Sequence, residues 1–206
     1  RAMVPRPDVS LVTAFCDGQT RNDRTFVFPP ILRRAVLEKQ PAQGDHILVY
    51  LTSGYETFLE LLGQFGRERF LVYGYNRSDS IGSLTYKPPS RDAFLDDLAS
   101  AKAVMATAGF TLISEALHLR KPYLALPMRG QFEQELNAYQ LEQRGYGKRV
   151  LEPQTEAIAD FLCHLHDYQK QLEQYQAADN RAIKAKLDEL TADDCALARL
   201  YHARRA

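Results

Sequence analysis

Residues 102–126 have the sequence KAVMATAGFTLISEALHLRKPYLAL, which decides the class of fold. The first seven residues are mostly apolar, which predicts a strand. Gly109 follows, and residues 111–119 then carry apolar side chains at helical spacing. After a Lys-Pro pair, residues 123–126 form a second short apolar run. The stretch therefore predicts a strand, a helix and another strand in quick succession.

The same alternation extends over most of the chain. Strands alternating with helices through short connections favour βαβ units and a parallel sheet. We therefore predict an α/β fold, a Rossmann-like doubly wound parallel sheet whose ligand site lies at the carboxyl ends of the strands. The order of the strands does not follow from the sequence. The further predicted strands are 46–52, 69–75, 81–86 and 147–151, and the further predicted helices are 55–65, 92–101, 131–144 and 155–166.

Composition changes at both ends of this pattern. Residues 1–30 combine a short apolar run, a polar loop and a Pro-Pro pair, which indicates a linker or a closing strand. Residues 31–166 hold the sheet domain. Residues 167–206 are polar and helix-forming, with apolar side chains spaced as in amphipathic helices. We predict that they form a C-terminal helical extension.

The overall charge excludes some partners. Lys and Arg total 26 and Asp and Glu total 26, so no basic surplus is available to neutralise nucleic-acid phosphates. No apolar run approaches the length of a membrane span, although peripheral attachment to a membrane stays open. The cysteines Cys16, Cys163 and Cys195 are few and far apart, which suggests a reducing compartment and a cytoplasmic protein. We interpret the start at Arg1 as the boundary of a fragment.

The segment after the strand at 102–108 carries the chemistry. Gly109 lies where the strand turns into the helix, where a glycine relieves the turn and lets a ligand approach the backbone. Thr111 lies in the first helical turn beside unpaired N–H groups, which is a natural seat for a phosphate. Glu115 is one turn further along the same face, where its carboxylate can accept hydrogen bonds from vicinal hydroxyls, as acidic residues do for ribose.

Two further polar residues follow the next strand. Glu133 and Gln134 offer a carboxylate and an amide suited to sugar hydroxyls, and their strand should open onto the same crevice. A purely structural role is also conceivable for some of the candidate residues. Gly109 alone fits a tight turn, and the Ser53-Gly54 pair fits a plain turn as well as a phosphate loop. A surface role for Glu115 conflicts with its apolar helix, since a carboxylate near a buried face needs a partner.

A metal site is a weaker interpretation of a different segment. Cys163, His164, His166 and Asp167 are types of residue that bind metals. Positions two apart on a helix do not converge on one ion. We therefore predict no metal site here.

Taken together, these motifs resemble a known family. Gly-x5-Glu from Gly109, a Lys-Pro turn, a strand ending in Pro, and Glu133-Gln134-x2-Asn137-Ala are similar to the C-terminal half of GT-B glycosyltransferases. The resemblance extends to the UDP-glycosyltransferases and the transferase that adds N-acetylglucosamine to the peptidoglycan lipid precursor. It covers residues 28–150 and includes the segment Phe-Pro-Pro-Ile-Leu-Arg that ends at Arg33.

The resemblance implies that residues 31–166 bind a nucleotide sugar. Within it, Glu115 would hold the ribose hydroxyls, and Asn137 would support the start of its helix. The loop at Ser53 would close over the phosphates. The full set of implied binding residues is Ser53, Gly54, Gly109, Thr111, Glu115, Glu133, Gln134 and Asn137.

The implied activity is that of a donor-binding domain of a glycosyltransferase. Its substrate would be a UDP-sugar, with no further cofactor, and a missing N-terminal domain would hold the acceptor and the catalytic base. The family histidine two positions before the glycine is Thr107 here, and the chain has no Trp, so Tyr86 or Phe94 would have to stack on the base. The alternatives are a non-hydrolysing nucleotide-sugar epimerase and a non-catalytic nucleotide-sugar-binding domain.

Overall fold

The computed structural model describes residues 7–15, 20, 22–177 and 179–203. The chain forms two compact units. The smaller unit comprises Arg1–Leu32 and Ala178–Ala206, and the larger comprises Arg33–Ala177. The proposed functional division into residues 1–30, 31–166 and 167–206 stays a prediction.

The larger unit alternates strands and helices. Its strands are β3 (His46–Tyr50), β4 (Arg69–Tyr73), β5 (Ser80–Ile81), β6 (Leu84–Tyr86), β7 (Ala103–Thr107), β8 (Tyr123–Leu126) and β9 (Gly147–Arg149). Its helices are α1 (Arg34–Leu37), α2 (Glu56–Leu62), α3 (Arg91–Ser100), α4 (Phe110–His118), α5 (Phe132–Gln143), α6 (Thr155–Cys163) and α7 (Leu165–Leu172).

These strands form one twisted sheet in the order β5-β6-β4-β3-β7-β8-β9. Every neighbouring pair is parallel except β5 with β6. The chain builds outward from β3 to β4 and β6, then returns to β7 on the other side of β3 and builds outward again. The predicted Rossmann-like doubly wound sheet is therefore confirmed, and its topological switch point lies between β3 and β7.

Two predicted elements are wrong in detail. Residues 81–86 are not one strand but two antiparallel strands, because Gly82 adopts a φ of +58° and reverses the chain between them. Residues 155–166 are not one helix, because it ends at Cys163 and a separate helix, α7, begins at Leu165.

The core follows from this arrangement. β4, β3, β7 and β8 lie in the interior of the sheet, and their side chains are buried almost throughout. One buried cluster joins the face of β3 to α2 and α6 through residues such as Ile47, Phe58 and Phe161. Strands buried on both faces explain the continuous apolar runs in the sequence.

The smaller unit contains β1 (Ser10–Thr13) and β2 (Thr25–Phe28), which pair in parallel. Its helix α8 (Arg181–Ala203) is interrupted at Ala192–Cys195, where the backbone leaves helical geometry. The side chain of Asn180 bonds both backbone groups of Leu32, accepting from its N–H at 3.0 Å and donating to its carbonyl at 2.8 Å. In the described residues, no helix has the length and apolarity needed to cross a bilayer.

A buried lysine lies at the amino edge of the large sheet. Lys121 precedes β8, is 4% exposed and donates a hydrogen bond to the carbonyl of Ala42. Burial lowers the pKa of Lys121 to about 8.

This shift predicts how stability depends on pH. Between pH 8 and the ordinary lysine value of 10.5, the unfolded chain binds more protons at this position, so stability rises with pH. In Lys121→Met that contribution is absent, so the free energy of unfolding of the variant should fall by about 2 kcal/mol relative to the parent over this window. Urea denaturation of both proteins at several pH values measures the difference, and parallel profiles would contradict it.

Candidate functional site

The switch point brings two predicted loops together. The loop after β3 begins at Leu51 and contains Ser53 and Gly54, while the loop after β7 contains Gly109. Since β3 and β7 are adjacent and parallel, both loops emerge at the same edge of the sheet. This is the position at which open α/β sheets bind their ligands.

The start of α4 is open. Gly109 is its N-cap, and no side chain caps the helix there. A Cβ built on Gly109 would meet no heavy atom within 4 Å, so the backbone faces free space. The φ of −68° is available to any residue, so the prediction that glycine relieves the turn is wrong, while the space that it leaves is real. Thr111 is exposed in the first turn.

Two buried side chains hold the backbone that leads to Gly109. The hydroxyl of Tyr123 donates to the carbonyl of Thr107 at 2.7 Å, and the amide of Asn137 donates to the carbonyl of Ala108 at 3.1 Å. The helix start is therefore preorganised. Asn137 was predicted from the sequence. Tyr123 was missed, because a tyrosine in a buried strand looks like an ordinary core residue.

Glu115 is buried with an ionic partner. Its side chain is 2% exposed, which confirms that it is not a surface carboxylate. The guanidinium of Arg33 binds both of its oxygens, with Nε to Oε1 and Nη2 to Oε2 each at 2.7 Å. The hydrogen bond to Glu115 raises the pKa of Arg33 above its usual value. Both oxygens that were expected to face a pentose are thus engaged by an arginine.

The loop after β3 is exposed and already binds a carboxylate. Gly54 has a φ of +100°, which favours glycine, and its N–H donates to both oxygens of Glu56 at 3.0 and 3.1 Å. The hydroxyl of Tyr75 donates to the carbonyl of Thr52 at 2.9 Å and steadies the loop. Ser53 is exposed beside this bond. The N–H of Gly54 therefore faces an anion in the present arrangement.

The start of α5 presents a mixed surface. Glu133 is exposed, whereas Gln134 is partly buried and accepts a hydrogen bond from the N–H of Met128 at 3.0 Å. The amide of Gln134 also donates to Gln131 at 2.9 Å. Gln134 thus shapes the loop after β8, and Glu133 is the freer of the two side chains.

The two aromatic side chains predicted to stack on the base differ in their exposure. Tyr86 is 7% exposed, and the guanidinium of Arg77 lies over its ring at 4.1 Å from the centroid. Tyr86 is therefore unsuited to stack on a base. Phe94 is partly buried and makes edge contacts with the rings of Tyr50 and Tyr73.

The segment at Cys163–Asp167 shows ordinary contacts. The ring of His164 lies 2.8 Å from the carbonyl of Asp160, one turn earlier. Within the described ranges, no group of three or more His, Cys, Asp or Glu side chains converges as metal ligands would. Cys16 lies outside the described residues, while Cys163 and Cys195 are exposed free thiols.

Comparison with protein families decides the relationship. A family model described as glycosyl transferase family 1 matches residues 1–166. The chain belongs to this family. Its resemblance to the C-terminal half of GT-B glycosyltransferases is thereby confirmed at the level of family and fold. No curated protein matches the chain.

Solved glycosyltransferases share the fold of this family member. The match to the spinosyn forosaminyltransferase SpnP covers 82% of this chain and 51% of the SpnP chain, with 13% identity and a TM-score of 0.60. The match to the calicheamicin glycosyltransferase CalG4 covers 84% of this chain and 48% of the CalG4 chain, with 16% identity and a TM-score of 0.54. UGT2 of Phytolacca americana was solved with UDP-2fluoro-glucose and pterostilbene. The match to it covers 90% of this chain and 47% of the UGT2 chain, with 15% identity and a TM-score of 0.54. The family 1 chain therefore spans about half the length of the solved structures it matches.

Proposed function

We propose that this chain is the donor-binding domain of a glycosyltransferase that uses a nucleoside-diphosphate sugar, with UDP as the nucleotide. The observation that carries the proposal is the uncapped start of α4 at the switch point, where Gly109 leaves the backbone open. Family membership supports glycosyl transfer. The UDP-2fluoro-glucose bound by the Phytolacca enzyme supports a UDP-sugar as donor.

The diphosphate would rest against the first turn of α4. Unpaired N–H groups and the partial positive charge of a helix start favour an anion there, and the hydroxyl of Thr111 adds a donor. Across the crevice, the N–H of Gly54 would exchange the carboxylate of Glu56 for a phosphate oxygen. As the bond to the sugar breaks, these fixed donors would stabilise the charge that develops on the departing diphosphate.

The ribose would bind at Glu115. A carboxylate offers about four lone-pair positions, and Arg33 occupies only two of them. The remaining pair suits two vicinal hydroxyls. Because Glu115 is 2% exposed, the pentose would reach these positions after a small movement of the 38% exposed Arg33 side chain that keeps its two hydrogen bonds to Glu115.

The remaining predicted residues would serve the sugar. Glu133 would accept hydrogen bonds from its hydroxyls, and Gln134 would orient the loop that contacts it. Ser53 would close over the phosphates, and Asn137 would keep the start of α4 in position. The acceptor and the catalytic base would come from an N-terminal domain, which is consistent with the chain spanning about half of its structural relatives.

The assignment of Glu115 predicts a loss of nucleotide affinity. Glu115→Ala should weaken the binding of UDP by about 1–3 kcal/mol, since it removes charge-assisted hydrogen bonds to the ribose. Isothermal titration calorimetry of the purified chain with UDP measures this, and GDP in parallel reports the preference for the base. Circular dichroism verifies that the variant is folded.

A matched control removes a carboxylate elsewhere. Glu189 is also ion-paired, with Lys186 at 2.8 Å, but lies in α8 of the smaller unit. Glu189→Ala should bind UDP as the parent does. Equal affinity of the Glu115→Ala variant and the parent would refute the proposed ribose site, and absence of UDP and GDP binding by the parent would refute the donor domain.

A further inference from the structure

A cavity lies at the amino ends of the strands, opposite the switch-point loops. It has a volume of about 410 Å³ and is formed by segments that precede β3, β7 and β8, together with one side of α7. The switch-point loops leave the sheet at its other edge, so this cavity is separate from the proposed donor site. Its size falls within the range of small-molecule sites.

The cavity is strongly cationic in a chain of zero net charge. Among the described residues, four Lys or Arg side chains and one carboxylate line it. Their positions come from three segments that are distant in sequence, so the fold itself gathers the charge. The charged residues in the lining are Lys102, Arg120, Lys121, Lys170 and Glu173.

Part of this charge has a partner within the protein. Lys102 pairs with Glu68, and Arg120 donates to the carbonyl of Leu172. Lys121 has one acceptor, the carbonyl of Ala42, although an ammonium carries three donors. Within the described residues, neither Lys121 nor Lys170 has a carboxylate at ion-pair distance.

An ammonium that is buried without a counter-charge is costly. Lys121 is 4% exposed, and burial alone lowers its pKa. A bound anion would repay this cost, because opposite charges attract more strongly where water is excluded. The apolar wall formed by Pro41, Ala101 and Leu119 leaves room for an uncharged part of the same ligand.

We propose that this cavity is a binding site for a small phosphate-bearing molecule, with the Lys121 and Lys170 ammonium groups as its anion-binding pair. Arg120 and Lys102 also line the cavity, and their positive charge would raise the local concentration of an anion. The site is independent of the proposed nucleotide-sugar site, since it shares no residue with it.

The test uses pyrophosphate and NMR of the ¹⁵N-labelled chain. We expect saturable shifts of the amide signals of Ala42, Lys102 and Lys121. In the double variant Lys121→Met, Lys170→Gln these shifts should require at least about tenfold more pyrophosphate. The variant Lys184→Gln removes an exposed charge in the smaller unit and should titrate like the parent.

The outcomes separate the two sites and the two sources of phosphate. Shifts confined to the amides around Gly54 and Gly109 would refute the second site and leave the donor site standing. Equal titration of parent and double variant would also refute it. Sedimentation with phosphatidylglycerol vesicles, compared with neutral vesicles, identifies a lipid headgroup as the source if the double variant loses binding. Shifts with pyrophosphate in the absence of vesicle binding identify a free ligand.

Discussion

The Gly74→Ala variant is expected to lose about 4 kcal/mol of stability, because the added methyl group would overlap backbone atoms at the end of a neighbouring strand. A Cβ at position 74 would lie 1.9 Å from the carbonyl oxygen of Leu51 and 2.8 Å from its carbon, and backbone atoms cannot move away cheaply. Gly74 also has a φ of +105°, which an L-residue rarely adopts. Both costs fall on the same backbone segment.

The effect is large because Gly74 lies where two neighbouring strands end. Gly74 follows β4, and Leu51 follows β3, so the added methyl group would force apart the carboxyl ends of two central strands. For a chain of 206 residues, a loss of about 4 kcal/mol should lower the midpoint of thermal unfolding by roughly 10 °C. Differential scanning calorimetry measures the change.

Gly66 provides the matched control. No heavy atom lies within 4 Å of a Cβ built there, and its φ is outside the left-handed region. The stability of Gly66→Ala should stay within about 0.5 kcal/mol of the parent. Similar midpoints for the two variants would mean that β3 and β4 do not approach as described.

The Arg33→Ala variant is expected to destabilise the protein by about 3–5 kcal/mol, more than Glu115→Ala does. The two partners differ in exposure, at 38% for Arg33 and 2% for Glu115. Removing the arginine leaves a carboxylate without its counter-ion in a nearly dry site, which is the costly way to break a buried pair. Removing the glutamate leaves a guanidinium that water can reach, so about 1–2 kcal/mol is expected.

A double-mutant cycle tests this asymmetry. Urea denaturation of the parent, both single variants and the double variant gives the coupling energy between the two side chains. The double variant should be close in stability to Glu115→Ala, because the arginine has little left to neutralise. If Arg33→Ala and Glu115→Ala lost equal amounts of stability, the two side chains would not differ in burial as described. The proposed movement of Arg33 depends on that difference.

Local sequence patterns were sufficient for most of the elements. The apolar run at 102–108 and the helical spacing at 111–119 correspond to β7 and α4 within one or two residues. The single strand predicted at 81–86 was wrong for a local reason. Gly82 reverses the chain within this segment, and a prediction based on apolar residues alone does not detect such a turn. Element type therefore followed from periodicity, while a turn inside a short run did not.

The candidate site was predicted less completely. Gly109 and Glu115 stand out because a glycine at a strand end and a carboxylate in an apolar helix are both conspicuous. Arg33 did not stand out as a partner, because it is 82 residues away from Glu115 in sequence. An unpaired carboxylate in an apolar helix signals that a cation must exist, but no local pattern says which one.

The sequence by itself determined that this chain is an α/β protein with buried parallel strands and a glycine turn before an apolar helix. Periodicity and turn residues act over a few neighbours, so they can be recognised without the rest of the chain. Only the tertiary structure decided that β7 lies beside β3, that Arg33 pairs with Glu115, and that four cationic side chains line the cavity at the amino ends of the strands. These are contacts between distant segments, and packing of the whole sheet selects them.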